Sequence, residues 1–271
     1  MQMRDDGVMS KLVPYLSEEA IERDATALLI EYVQARGVVL KPPIPIEDIV
    51  EKHLKLGVEF DDMHRLLGVP RDPAGDADIL GAMYFDAGRI VIDESLDPEE
   101  NPSKEGRYRF TLAHEGGGHW RLHRHLFAKD PAQTSLFGRP ESPSVVCRSS
   151  QAKERVEWQA DFYASCLLMP RKLIFETWCE RFRTSAPFIF EINKFNPTFA
   201  SRRSNWIHIS KGIASALGAP KEPDYQIVFS TIAREFASGF CVSTEAMRIR
   251  LEKLGLLLRE VPHQQNLSVS P

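Results

Sequence analysis

The chain has 271 residues, of which 43% are hydrophobic and 27% charged, as is ordinary for a globular protein with a buried core. Its formal net charge of −4 gives no overall attraction to nucleic acid or to an anionic membrane. No run approaches the ~18–20 apolar residues of a membrane span, and the N-terminal stretch has no apolar core of signal-peptide length.

The first predicted element is a helix in the segment LSEEAIERDATALLIEYVQARG, residues 16–37. Its apolar side chains recur at helical spacing from Ile21 to Val33. Ser17 is a suitable N-cap residue and Gly37 is suited to end a helix. We therefore predict a helix between these two residues.

A proline-rich stretch and a hairpin follow. The segment KPPIPIEDIVEKHLKLG is predicted to lead into a short helix that ends at Gly57. Residues 79–85 and 89–93 are strand-like and flank a turn at 86–88, which predicts a β-hairpin. We expect the strand LGAMYFD, or its hairpin partner, to form a sheet edge along which an extended peptide binds.

The remaining elements are mainly helical. Residues 103–127 are predicted to form a helix that glycines interrupt, and residues 128–150, rich in proline and serine, a loop. Residues 151–182 are predicted to be helical with a break at Pro170, and Ser243 is predicted to cap the last of the C-terminal helices. Helices packed on a small antiparallel sheet give a predicted α+β fold class.

The segment HEGGGH, residues 114–119, is similar to the zinc-protease motif H-E-x-x-H but has one residue more. In an α-helix, residues four apart differ in azimuth by ~40°, whereas residues five apart differ by ~140°. A π-type turn would absorb the extra residue, and glycines ease that distortion. Two alternatives stay open: a pair formed by His119 and His123, four apart but without the glutamate, and a histidine-rich helix end that binds no metal.

A candidate third ligand lies downstream in the segment EWQAD. Glu157 and Asp161 are four residues apart, so they share one face of a predicted helix. A glutamate that binds zinc, followed by an aspartate that orients a ligand histidine, is a known zinc-peptidase arrangement. Glu154 lies one turn earlier and competes for the role, and a solvated helix face is the alternative for all three acids.

These segments together resemble the ImmA/IrrE family of metallopeptidases. The family pattern is a Phe-Thr-Leu-Ala lead-in, H-E-x-G-H-W, E-x-x-A-x-x-F-A and Leu-Leu-x-Pro, which RYRFTLAHEGGGHWRLH and VEWQADFYASCLLMP resemble. The likeness extends from the first helix to about Leu168, and the C-terminal VSTEAMRIRLEKLGLL is also common in the family.

The resemblance implies a role for each matching residue. It makes His114, His119 and Glu157 ligands of one catalytic zinc ion and Glu115 the general base. Asp161 orients a ligand histidine. For the group that stabilises the transition state, we name Tyr163 and His123 as candidates on proximity alone: His123 follows the first motif and Tyr163 follows EWQAD.

The resemblance also implies a zincin-like fold and a regulatory zinc endopeptidase that cleaves a separate helix-turn-helix repressor controlling stress-response, mobile-element or toxin–antitoxin genes. The scattered cysteines lack a C-x-x-C pair, which predicts reduced thiols and a cytoplasmic location. The predicted parts are an N-terminal tail (1–16), a metallopeptidase domain (17–183), an unassigned insert or linker (184–224), a C-terminal helical subdomain (225–260) and a tail (261–271).

Two other functions remain open. The first is a catalytically impaired protein of the same fold that binds a repressor or a metal without cleavage. The second is a DNA-binding regulator that uses the C-terminal helices, whose segment FASGFCVSTEAMRIRLEKLG has helix-turn-helix spacing. The balance of acidic and basic residues there disfavours phosphate binding, and we expect Arg248 and Arg250 to be surface residues of a packed helix.

Overall fold

The structure is a computed structural model that describes residues 13–70, 79–127, 145–148, 155–190 and 225–260. The mixture of helices with a small sheet confirms the predicted α+β class. In chain order its main elements are α1 (Glu18–Arg36), π1 (Asp48–His53), β1 (Gly57–Asp61), α2 (Met63–Leu67), β2 (Ile79–Tyr84), β3 (Arg89–Asp93), α3 (Glu105–Leu112), π2 (Ala113–His123), α4 (Arg124–Phe127), β4 (Val145–Arg148), α5 (Arg155–Leu168), α6 (Arg171–Phe182), β5 (Phe188–Ile189), α7 (Tyr225–Phe240), α8 (Thr244–Lys253) and β6 (Leu257–Leu258).

The chain divides into two compact units. The first comprises Met1–Pro170 together with Gly239–Val242, and the second comprises Arg171–Ser238 together with Ser243–Pro271. The first unit therefore holds the four-stranded sheet and the helices α1 and α5, with the glycine-rich segment between them in the sequence. Helix α6 belongs to the second unit.

Helix α1 begins and ends where the sequence predicts. The Ser17 side-chain oxygen accepts a hydrogen bond from the Ala20 amide at 3.2 Å, and Gly37 follows the helix in the left-handed conformation with φ 64°. One face of the helix is buried and packs on α5 within the first unit. Its buried residues are Ile21, Ala25, Leu28, Leu29 and Tyr32.

The sheet of the first unit has the strand order β1-β3-β2-β4. Strands β2 and β3 pair antiparallel, which confirms the predicted hairpin. Strand β1 runs parallel to β3, so the prediction of a wholly antiparallel sheet is wrong. The chain reverses between β1 and β2 and again in the hairpin, and β3 therefore runs in the same direction as β1.

The positions of the strands also correct the predicted sheet edge. Strand β2, which contains most of LGAMYFD, lies between β3 and β4, and its hairpin partner β3 lies between β1 and β2. The prediction that either strand forms an edge is therefore wrong, and β4 is an outer strand of the described sheet. Strand β4 lies in the segment predicted to be a loop. The sequence did not predict this strand, because four residues give no periodic signal and only their pairing with β2 makes them a strand.

Two other local predictions differ from the structure. The helix predicted to end at Gly57 is the π-helical turn π1, and Gly57 instead begins β1. Residues 105–127 form one continuous helical run through α3, π2 and α4, whereas the sequence predicted an interruption at the glycines. The glycines change the helix type without ending the helix.

The second unit has an aromatic core. The Trp178 ring is fully buried, with its centroid 4.6 Å from that of Phe182 and 5.7 Å from that of Phe236. Ser243 accepts a hydrogen bond from the Ala246 amide at 3.1 Å, which confirms the predicted cap of α8. The indole nitrogen of Trp178 donates to the Ala186 carbonyl at 3.1 Å, so this ring also satisfies its polar atom.

Several predicted parts lie outside the described residues. These are the C-terminal tail, most of the insert 184–224, most of the N-terminal tail, and Glu154. Within the described ranges, no helix has the length and apolarity that crossing a membrane requires.

Candidate metal centre

The glycine-rich motif lies in the π-helix π2, which confirms the predicted π-type turn. A π-helix bonds residue i to residue i+5, so side chains five apart fall on one face. His114 and His119 accordingly lie side by side, with ring centroids 4.6 Å apart and the rings nearly perpendicular. The π-helix therefore absorbs the extra residue of the motif, and the two imidazole rings stay next to each other.

The three glycines are also required by close packing. A Cβ atom on Gly116 would lie 2.7 Å from a Val50 methyl group, and one on Gly117 would lie 2.9 Å from a Leu167 methyl group. A Cβ on Gly118 would lie 2.6 Å from the Ala160 Cα. The sequence suggested only that glycine eases the backbone distortion, and the structure adds that α5 can approach π2 because Gly117 and Gly118 have no side chain.

Three side chains of π2 form a group that could hold a metal ion. Ligand atoms of His114, Glu115 and His119 all lie within 4.8 Å of one another, and the three residues are at most 1% exposed. Both carboxylate oxygens of Glu115 and the Nε2 atom of His119 make no hydrogen bond to any described residue. Since buried polar atoms without partners are costly, a bound cation fits this site.

Glu157 reaches the same two histidines from α5. One of its carboxylate oxygens lies 3.2 Å from His114 Nε2, and the other lies 3.6 Å from His119 Nε2. Its side chain is 6% exposed. Two imidazole nitrogens and a carboxylate are a donor set that suits a catalytic zinc ion. Glu115 and Glu157 are thus both near the histidines, and Glu157 lies within 3.6 Å of both Nε2 atoms.

Asp161 contacts the first histidine of the motif. Its Oδ1 atom lies 2.9 Å from His114 Nδ1. A carboxylate only accepts, so His114 Nδ1 carries the proton of this hydrogen bond. In the neutral ring Nε2 then carries a lone pair on the side of Glu157, as a metal ligand requires. The structure thus brings Asp161 to the position that the sequence predicted for it.

The two residues named for transition-state stabilisation already have partners. The Tyr163 hydroxyl donates to Asp24 Oδ1 at 2.9 Å, and His123 contacts both His119 and Gln159 through its ring nitrogens. The oxyanion-stabilising role stays a prediction for both residues, and each would have to exchange a described hydrogen bond to perform it. Asp24 and Gln159 gave no sequence signal, because single polar residues in helices are usually solvated.

Burial determines the charge of the groups in the centre. Desolvation raises the pKa of Glu115 to about 8, with the nearby His114 acting in the opposite direction. Burial also lowers the pKa of His119 well below its usual value and that of His123 to about 4. Both histidines are therefore neutral at pH 7, which is the form that binds a metal ion.

The raised pKa of Glu115 predicts a pH-dependent stability for the protein after chelation of metal. The folded chain keeps the Glu115 proton up to about pH 8, whereas the unfolded chain releases it near pH 4.5. Between these values the folded state binds more protons, so the free energy of unfolding falls as pH rises. Glu115→Gln has no carboxyl group at this position, so it does not lose stability in this way. Its free energy of unfolding minus that of the wild type should therefore increase from pH 4.5 to pH 8.

Urea unfolding at a series of pH values measures this difference. The matched control is Glu176→Gln, which makes the same substitution on a side chain that is 52% exposed. A pH-independent advantage for Glu115→Gln would contradict the assignment of a raised pKa to Glu115.

No family model matches the sequence, and no curated protein matches it.

Proposed function

We propose that the protein is a zinc-dependent endopeptidase of zincin-like fold. One observation carries the proposal: the π-helix aligns His114 and His119, and α5 brings Glu157 within 3.6 Å of both Nε2 atoms. Glu115 lies beside them, fully buried and with no hydrogen bond from the described residues to its carboxylate oxygens. This combination supplies three ligands and a separate base from one small region of the chain.

Each residue of the centre has a distinct task in this proposal. His114, His119 and Glu157 hold the ion, which when bound acidifies a water molecule and polarises the scissile carbonyl. Glu115 accepts the proton of the attacking water and delivers it to the leaving amine. Asp161 keeps His114 in the ligand orientation.

The sheet provides a place for an extended substrate. A Cβ atom on Gly81 of β2 would lie 3.5 Å from a Glu115 carboxylate oxygen, so β2 passes directly beside the base. Strand β4 pairs with β2 at this point, where Cys147 is the partner of Gly81. We propose β4 as the strand along which the peptide binds, in place of the edge expected from the sequence.

The substrate class is proposed from the sequence resemblance alone, as a separate helix-turn-helix repressor protein in the cytoplasm. The environments of two arginines of α8 argue against the alternative of DNA binding by the C-terminal helices. Arg248 forms ion pairs with Glu245 and Glu252, and Arg250 is 2% exposed. The expectation that Arg250 is a surface residue is therefore wrong, and its buried guanidinium is not available as a phosphate contact.

The ligand set is tested by metal content and zinc affinity. Glu157→Ala should lose most zinc affinity, because it removes the carboxylate next to both Nε2 atoms. Asp161→Ala should weaken zinc binding by about 10–100-fold, since it only orients His114. Metal analysis of protein purified without a histidine tag, followed by competition with a chelator, measures both. Glu154→Ala is the control and should retain wild-type zinc affinity. If Glu154→Ala lost zinc affinity and Glu157→Ala kept it, the assignment of Glu157 as the ligand would be overturned.

The activity is tested with a peptide library prepared from a whole proteome. Zinc-loaded wild-type protein should create new peptide termini that zinc-loaded Glu115→Gln does not create, as read by mass spectrometry. If zinc binds with the predicted ligands and no termini appear in the library or in folded helix-turn-helix repressors, the endopeptidase proposal fails and a protein that binds metal without cleavage remains.

A further inference from the structure

A chain of hydrogen bonds connects the second histidine of the centre to the backbone near the N-terminus. The Gln159 side-chain nitrogen donates to the Pro14 carbonyl at 2.8 Å, and Gln159 Oε1 lies 2.8 Å from His123 Nε2. His123 Nδ1 lies 3.0 Å from His119 Nδ1. Gln159, His123 and His119 are each at most 1% exposed, so water does not replace these contacts.

The direction of every bond in this chain follows from its first member. A carbonyl oxygen only accepts, so the amide nitrogen of Gln159 must face Pro14 and its oxygen must face His123. His123 Nε2 then carries the proton of the next bond. Since a neutral imidazole has one protonated nitrogen, His123 Nδ1 is an acceptor and His119 Nδ1 is the donor. The Nε2 atom of His119 is left with a lone pair.

We infer that Gln159 and His123 are positioning residues that fix the tautomer of His119, so that its Nε2 lone pair faces the metal centre. This inference rests on the proposed metal site and adds two residues to it. The backbone end of the chain is itself held in place, because Val13 is buried and its carbonyl accepts a hydrogen bond from Arg155 at 2.9 Å. Orientation of the metal ligand therefore depends on the docked segment at Val13 and Pro14.

The two ligand histidines are oriented by different chemistry. His114 has the carboxylate of Asp161, whereas His119 has a neutral imidazole. The centre already contains the carboxylates of Glu115 and Glu157, and another anion next to His119 would add like-charge repulsion in a buried place. A neutral acceptor supplies the same direction of hydrogen bonding without that repulsion.

The test reads the tautomer of His119 directly in protein from which metal has been removed. Imidazole ¹⁵N shifts distinguish a protonated from an unprotonated nitrogen, and they should show His119 protonated at Nδ1 in the wild type. Gln159→Met keeps the side-chain length but breaks the chain, and His119 should shift toward the Nε2-protonated form. Zinc affinity should then fall by about 10–100-fold.

Two further variants separate this role from a general loss of structure. His123→Leu removes the acceptor of the His119 Nδ1 proton, so His119 should shift toward the Nε2-protonated form and Gln159→Met should have no further effect on its tautomer. Tyr163→Phe removes a buried hydrogen bond of the same helix α5 outside the chain, and the tautomer should not change. Thermal unfolding of each variant verifies that it is folded.

The outcomes also separate this inference from the proposed enzyme. An Nε2-protonated His119 in the wild type, or an unchanged tautomer in Gln159→Met, would overturn the role of the relay even if zinc binds and peptides are cleaved. Absence of zinc binding or of cleavage in the wild type would instead overturn the proposed function, and the tautomer measured without metal would be unaffected.

Discussion

Glu115→Gln should bind zinc about as tightly as the wild type and lose peptide cleavage by about 10²–10⁴-fold, the usual contribution of a general base. The substitution preserves the shape of a fully buried side chain and replaces its carboxylate with an uncharged amide, which cannot act as the base. The carboxylate oxygens of Glu115 make no hydrogen bond to described residues, so the substitution breaks no described contact. Chelator competition and the peptide-library assay measure the two effects on the same preparations.

The matched comparison is Glu157→Gln, which makes the same chemical change on the other glutamate of the centre. It should lose zinc affinity, because its two oxygens are the ones within 3.6 Å of the histidine Nε2 atoms. The two variants therefore assign one glutamate to the metal and the other to the proton. If Glu115→Gln lost zinc and Glu157→Gln retained it, the two roles would be exchanged. The ligand atoms of His114, Glu115 and His119 lie close enough together for Glu115 to be the third ligand in that case.

Gly118→Ala should destabilise the fold by about 3 kcal/mol or more, at or above the upper end of ordinary overpacking. The new Cβ would lie 2.6 Å from the Ala160 Cα, 2.8 Å from its Cβ and 2.9 Å from its carbonyl oxygen. Two of these atoms belong to the backbone of α5, which cannot move by a side-chain rotation. Helix α5 would have to shift away from π2, and Glu157 and Asp161 would shift with it, so zinc affinity should fall as well.

Gly239→Ala is the control, because a Cβ at this helical position meets no atom within 4 Å. It should be neutral or stabilise α7 by up to about 1 kcal/mol.

Gly116→Ala provides a second comparison: the nearest neighbours of its new Cβ atom are the Val50 methyl groups, so Val50→Ala should rescue part of the loss of stability. Ala160→Gly should not rescue Gly118→Ala. Urea unfolding and chelator competition measure these effects, and a stable Gly118→Ala protein with normal zinc affinity would contradict the packing argument.

The alternative metal pair of His119 and His123 is disfavoured by where the two rings point. Their Nδ1 atoms face one another at 3.0 Å, and His123 Nε2 faces Gln159. His114 Nε2 and His119 Nε2 instead both lie next to the Glu157 carboxylate. The i,i+4 spacing of His119 and His123 therefore makes them neighbours without giving them a common ligand site.

Much of the site could be predicted from the sequence because its signals are local. The caps of α1, the hairpin of β2 and β3, and the need for a π-type turn all follow from spacing and residue type within short segments. The group of His114, Glu115 and His119 is local in the same sense, since one helical segment carries all three. Asp161 beside His114 could be predicted because a downstream helix was recognised together with the motif.

The tertiary structure decided what depends on segments that are distant in sequence. The parallel pairing of β1 with β3 and the strand β4 arise from pairing between segments that carry no local signal of it. The close approach of Gly118 to Ala160, and the connection from Pro14 through Gln159 and His123 to His119, exist only once α5 packs on π2. Residue type and spacing determine which side chains lie on one face of a helix. Long-range packing determines which groups those side chains contact, and hence which nitrogen of His119 carries its proton.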